Sequence, residues 1–144
     1  MTRDDQGQTA LHHAVLSQRD GRNETIRVLL RSVPVHKLSY LDMKDDNGMT
    51  ALHLACKEGE HDCAMQLVNI PDIKINVVDV YGRTILHECV HRGWHDVIQR
   101  LIELGVNIHV RDIRGEIALE LSDRRETTMR RGTTVECANI LRRE

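Results

Sequence analysis

The five residues His87-Glu88-Cys89-Val90-His91 have the types and spacing of a catalyst. On a helix, histidines four positions apart share a face and can hold one zinc ion, with the glutamate between them as general base for attack by a bound water. Cys89 and His95 are close enough in sequence to serve as further ligands, and the pairs His53/Cys56 and His61/Cys63 also have metal-like spacing. That chemistry would be zinc-dependent hydrolysis. Gly93, however, ends the helix right after the motif and leaves no scaffold for a third ligand at a usual spacing. GxSxG, P-loop and GxGxxG strings are absent. The expectation is a protein that is not an enzyme and needs no metal or cofactor; a hydrolase using His87-Glu88-x-x-His91 is the alternative.

The elements that position these residues come from a repeat. Asp-x-x-Gly-x-Thr-x-Leu-His occurs as Asp4…Gly7-Gln-Thr9-Ala-Leu11-His12, as Asp45…Gly48-Met-Thr50-Ala-Leu52-His53 and as Asp79…Gly82-Arg-Thr84-Ile-Leu86-His87. It decays to Asp112…Gly115-Glu-Ile117-Ala-Leu119-Glu120, and the glycines are 41, 34 and 33 positions apart. Asp-x-x-Gly is a tight turn with glycine at positive φ, and the threonine after it is a helix N-cap. A short helix A is predicted over 51–58 and 85–92, stopped by Gly59 and Gly93. Helix B follows, with apolar residues one turn apart: Ile26 with Leu29 and Leu30, Ala64 with Leu67 and Val68, Val97 and Ile98 with Leu101 and Ile102. Neither helix can bury its face alone, so copies must stack. A core of many small aliphatic contacts suits a 144-residue chain with no Phe, one Trp and two Tyr.

Composition narrows the function classes. Hydrophobic residues are 40% and charged residues 29% of the chain, which is globular rather than disordered. A formal net charge of −2 argues against direct nucleic-acid binding, which needs clustered positive charge. No leader-like or membrane-spanning apolar stretch is present in the sequence. Cys56, Cys63, Cys89 and Cys137 lie in apolar helical patterns and are expected to be buried, reduced thiols of an intracellular protein.

Thr50-Ala-Leu-His-Leu-Ala-Cys-Lys-Glu-Gly59 resembles the Thr-Pro-Leu-His-x-Ala string of the ankyrin-repeat family, and the resemblance covers nearly the whole chain. Ala10, Ala51, Ile85 and Ala118 replace the family's proline, and Ile117 and Glu120 replace the threonine and histidine in the fourth copy. The resemblance implies an all-α solenoid of about four helix-turn-helix repeats joined by tight turns. They form one domain over 1–144, with repeats at 4–44, 45–78, 79–111 and 112–144. It also implies that His12, His53 and His87 make structural hydrogen bonds to the neighbouring turn. The first copy is lengthened by three residues within 17–23 and four within 33–41, and the fourth by seven within 123–132. Insertions at such tips cost little.

In that family, turn tips and the outer end of helix A line a concave surface that binds other proteins. Carried onto this chain, the turns of the first two repeats are polar, apart from Met49, whereas Val80, Tyr81 and Ile113 are apolar where stacking requires no apolar group, and arginines flank them. Aromatic and aliphatic residues rimmed by arginine are interface composition. The expected contact residues are Val80, Tyr81, Arg83, His91, Arg92, Ile113 and Arg114, with Met49, Trp94, Arg124 and Arg125 in support. Charge is uneven: six acids against Lys44 and Lys57 over 42–62, and Arg124, Arg125, Arg130 and Arg131 beside Thr127, Thr128, Thr133 and Thr134 near the end.

The long first repeat and the segment Leu41-Asp-Met-Lys-Asp-Asp-Asn-Gly-Met-Thr-Ala-Leu-His-Leu-Ala55 are similar to the opening repeats of the inhibitor-of-NF-κB (IκB) group. This narrower resemblance implies a Rel-type transcription factor as partner, a role in transcription regulation, and a place in the cytoplasm, the nucleus or both. The other partner reading is a peptide segment of a signalling protein, bound by a generic ankyrin adaptor or scaffold fragment. In either case a monomer binding a protein, and neither nucleic acid nor membrane, is expected.

Overall fold

The computed structural model describes residues 2–17, 21–32, 40–125 and 139–143, with the backbone alone at Arg22 and 122–125. All regular structure among the described residues is helical. The chain divides into two compact units, Met1–Lys74 and Ile75–Glu144.

The first unit holds α1 (Ala10–Leu16), α2 (Arg22–Ser32), α3 (Ala51–Glu58) and α4 (His61–Val68). α1 packs on α2 and α3, and α4 packs on α3 and α2, which is two stacked helix-turn-helix repeats. Its interior is aliphatic: Leu11, Val15, Ile26, Leu52, Leu67 and Val68 are buried. The second unit holds α5 (Ile85–Arg92), α6 (His95–Glu103) and α7 (Ala118–Arg125), with residues 139–142 also helical. α5 packs on both α6 and α7, and Ile85, Leu86, Val97, Ile98 and Leu101 fill the space between them. The helices predicted over 51–58 and 85–92 form with those bounds. The insertions near 17–23, 33–41 and 123–132 fall largely outside the described residues, as do Cys137 and the four threonines at 127–134. Cys56, Cys63 and Cys89 are buried free thiols.

One turn design recurs four times. In each, Oδ1 of the aspartate accepts two backbone N–H groups: Gln6 and Gln8 on Asp4, Asn47 and Met49 on Asp45, Tyr81 and Arg83 on Asp79, Arg114 and Glu116 on Asp112, all at 2.8–3.0 Å. The aspartate's own N–H donates to the carbonyl of the fifth residue, and the glycine N–H returns to the aspartate carbonyl. Gly82 has φ +72°, and a Cβ there would meet Asp112 Cα at 3.3 Å, so this position needs glycine for conformation and for clearance.

The histidine column joins each turn to its helix. In α1, Nδ1 of His12 accepts from the Thr9 backbone N–H at 3.1 Å and lies 2.7 Å from Thr9 Oγ1. Nε2 therefore carries the proton and donates to the carbonyl of Met49 in the next turn, at 3.1 Å. His87 repeats this with Thr84, at 3.1 and 2.9 Å, and with the Glu116 carbonyl at 3.2 Å. Histidine here takes the place of the usual glutamate of a capping box and adds a bond to the neighbouring repeat. In the fourth copy, Glu120 reaches back to the Ile117 N–H at 2.9 Å, so the substitution keeps half of the box.

A pH dependence follows. Burial lowers the His12 pKa from its ordinary 6.5, more strongly than the Met49 carbonyl and Asp45 raise it, while His13 and Arg3 lower it further. Below pH 6.5 the unfolded chain takes up a proton that the folded unit refuses, so stability falls as pH drops from 6.5 toward the depressed value. Denaturant titrations at pH 7.5 and 5.0 should show less loss of stability on acidification in His12→Gln than in the native sequence. An unchanged loss would remove His12 as a contributor.

Candidate partner-binding groove

The second unit carries an open groove of about 450 Å³ between the tips of two turns and the outer end of α5. The turn at 79–83 and the turn at 112–116 are tied by the Ile113 N–H donating to the Tyr81 carbonyl at 2.9 Å. The apolar side chains at the tips project outward: Val80 is 56%, Tyr81 53% and Ile113 70% exposed. Backbone needs alone fix these tips, so their side chains are free to be selected for contact. Leu121 of α7 adds apolar surface to the groove wall.

Arg83 organises the floor. Its Nη2 donates to Asp79 Oδ2 at 3.1 Å and its Nη1 to Glu88 Oε1 at 2.8 Å, while the guanidinium carbon lies 5.2 Å from the Tyr81 ring centroid. One planar cation thus links the turn, helix α5 and the exposed ring. Both carboxylates are largely withdrawn from water, at 4% and 13% side-chain exposure, so the guanidinium compensates charges that solvent screens weakly. Asp112 also lines the groove. Burial raises its pKa, but the backbone N–H groups of Glu116 and Arg114 and the nearby His87 and Arg114 outweigh that and leave it below the ordinary carboxylate value.

Of the expected contact residues, Tyr81, Arg83, His91, Ile113 and Arg114 line this groove, and Val80 stands on the same tip. Arg92 and Trp94 do not line it; they stack on one another, with the Arg92 guanidinium 5.8 Å from the Trp94 ring. The side chains of Arg124 and Arg125 lie outside the described residues. Met49 needs correction. It is buried, at 6% exposure, and its turn partner Gln8 is buried too, so neither presents a contact side chain. The fifth turn position bonds to the aspartate through both its N–H and its C=O, which turns its side chain under the turn rather than out from the tip.

Glu88, Asp112, Glu116 and Leu121 join the groove without having been singled out as contacts. Glu88 drew notice in the sequence only as a potential zinc-site base. Here its Oε1 is held by Arg83, and both ring nitrogens of His87 are engaged by Thr84 and Glu116, so a zinc ion bridging His87 and His91 would have to break these bonds. Among the described residues, no three His, Cys, Asp or Glu side chains converge on a point where a metal would sit.

Comparison with known proteins places this architecture. The family model for three ankyrin-repeat copies matches residues 34–112, and the single ankyrin-repeat model matches residues 6–39. NF-kappa-B inhibitor zeta of Mus musculus is 36% identical over 101 residues, which is 70% of this chain and 13% of that protein. The B-cell lymphoma 3 protein homolog of Mus musculus is 29% identical over 74% of this chain and 23% of its own length. The probable 26S proteasome regulatory subunit p28 of Saccharomyces cerevisiae is 31% identical over 83% of this chain and 50% of its own. The chain therefore spans about an eighth to a half of these relatives. Its turn aspartates, capping threonine–histidine pairs and paired helices, with the match over 34–112, make it a member of the ankyrin-repeat family.

Proposed function

We propose that this chain is a non-enzymatic recognition module that binds a Rel-type transcription factor through the groove of its second unit, as an IκB-like regulator. Ankyrin-repeat membership supports a protein-interaction module, and the relatives named NF-kappa-B inhibitor zeta and B-cell lymphoma 3 protein homolog support the Rel-type partner. The observation that carries the assignment to this groove is the exposure of Tyr81 and Ile113 at its mouth, beside Arg114. In this reading the chain is a monomer acting in the cytoplasm or nucleus, without nucleic-acid contact, cofactor or chemistry of its own. No helix among the described residues is long and apolar enough to cross a membrane. The similarity to the proteasome subunit p28 favours a second reading, an adaptor for another assembly.

Calorimetric titration of a purified Rel-type dimer distinguishes the two. Saturable binding is expected, and Tyr81→Ala should weaken it by about 2 kcal/mol, as truncation of an aromatic anchor does, with the unfolding midpoint nearly unchanged. No binding by the native chain returns the adaptor reading. Equal binding by the variant removes Tyr81 from the interface.

A further inference from the structure

The third repeat holds three side chains that stacking does not require, and they touch in series. Across the four copies the third turn residue is Gln6, Asn47, Tyr81 or Arg114, and the fifth is Gln8, Met49, Arg83 or Glu116. The fourth residue of the helix that follows is His13, Leu54, Glu88 or Leu121. Only the third copy combines a ring, a guanidinium and a carboxylate at these positions.

Asp79 is held by the backbone of its turn, and Glu88 stands on helix α5. These two carboxylates take the two Nη groups of Arg83, at 3.1 and 2.8 Å, and so set the position of the planar group that faces the Tyr81 ring. The arrangement is not the best one for Arg83 itself. Its Nε is buried and, among the described residues, has no hydrogen-bond partner. A buried donor left unmatched costs free energy. The guanidinium is thus placed by the carboxylates and the ring at the expense of one of its own bonds.

A ring on an exposed turn tip with no such contact would be free to change rotamer, and a side chain ordered only on binding costs affinity. We infer that Glu88 is a positioning residue for the partner contact: acting through Arg83, it holds the exposed Tyr81 ring in one orientation before the partner arrives. This deepens the reading of the groove as the contact surface and rests on it, although the holding itself needs no partner.

The fold accepts leucine in the Glu88 column, as Leu54 and Leu121, so Glu88→Leu removes the carboxylate and is expected to fold. Tyr40 is the only other tyrosine, which makes the Tyr81 ring signals simple to assign by NMR. In the native chain the Tyr81 β-proton couplings should report one rotamer, and its ring protons should show nuclear Overhauser contacts to the Arg83 side chain. Both should be lost in Glu88→Leu and largely kept in Glu88→Gln, which retains an acceptor oxygen. A merely structural Glu88 would lower the urea midpoint and leave the ring signals unchanged. Affinity for a purified Rel-type dimer should fall about two- to tenfold in Glu88→Leu, the cost of ordering one side chain, and should not fall further when Glu88→Leu is added to Tyr81→Ala. A rotamer-averaged ring in the native chain, a ring still held in Glu88→Leu, equal dimer affinity of Glu88→Leu and the native chain, or a loss that persists beside Tyr81→Ala overturns the inference. The ring measurements decide it without a partner, so failure of the dimer to bind the native chain counts against the Rel-type reading alone.

Discussion

Leu101→Ala should lower the stability of the second unit by about 2–5 kcal/mol. Leu101 is fully buried in α6, which packs on α5 beside Val97 and Ile98. Truncation removes three carbons from an interior with no large ring to collapse into the space, so the cost combines lost transfer energy with a persistent cavity. Trp94, the single tryptophan, sits at the α6 N-cap and reports on this unit by fluorescence in a urea titration. A loss below about 1 kcal/mol, the size of an ordinary surface substitution or less, would mean that α6 does not pack as described.

Arg83→Met should cost about 3 kcal/mol, the low end for breaking a buried ion pair, because about a third of the Arg83 side chain reaches water. Methionine keeps much of the apolar stem but leaves Asp79 and Glu88 facing one another without their shared cation. The same variant releases Tyr81 from its stacked position, so partner affinity should fall together with stability. Urea titration of the variant beside the native chain checks the first effect; a loss below about 1 kcal/mol, the size of an ordinary surface substitution or less, would show that the ion pairs do not carry it.

The parts of the fold that were legible in the sequence are those set by one residue's local requirement. Aspartate and glycine answer backbone needs within a five-residue turn and threonine caps the helix that follows it, so Asp79, Gly82 and Thr84 announce the same structure as Asp4, Gly7 and Thr9. The helix B stripes were legible because burial and helical period coincide at Val97, Ile98 and Leu101. The apolar tips could be found by asking where the repeat requires nothing of a side chain, which singles out Val80, Tyr81 and Ile113. Met49 was misread because treating the turn as one exposed strip ignores the inward-facing fifth position, where Gln8 is buried too. Glu88 was missed as a groove residue because its role depends on the path of the Arg83 side chain across the turn, which no helical or turn period encodes. A basic residue at the fifth turn position with an acid five residues later, Arg83 and Glu88, is the signal that marks such a bridge.

Mapping the partner's footprint on the labelled chain tests most directly whether the groove of the second unit is the contact surface. On addition of a Rel-type dimer, amide signals of 80–83, 88–91 and 112–116 should broaden or shift first and most. Full binding with these signals unperturbed, and changes confined to α2, α4 or the far face of α6, would contradict it.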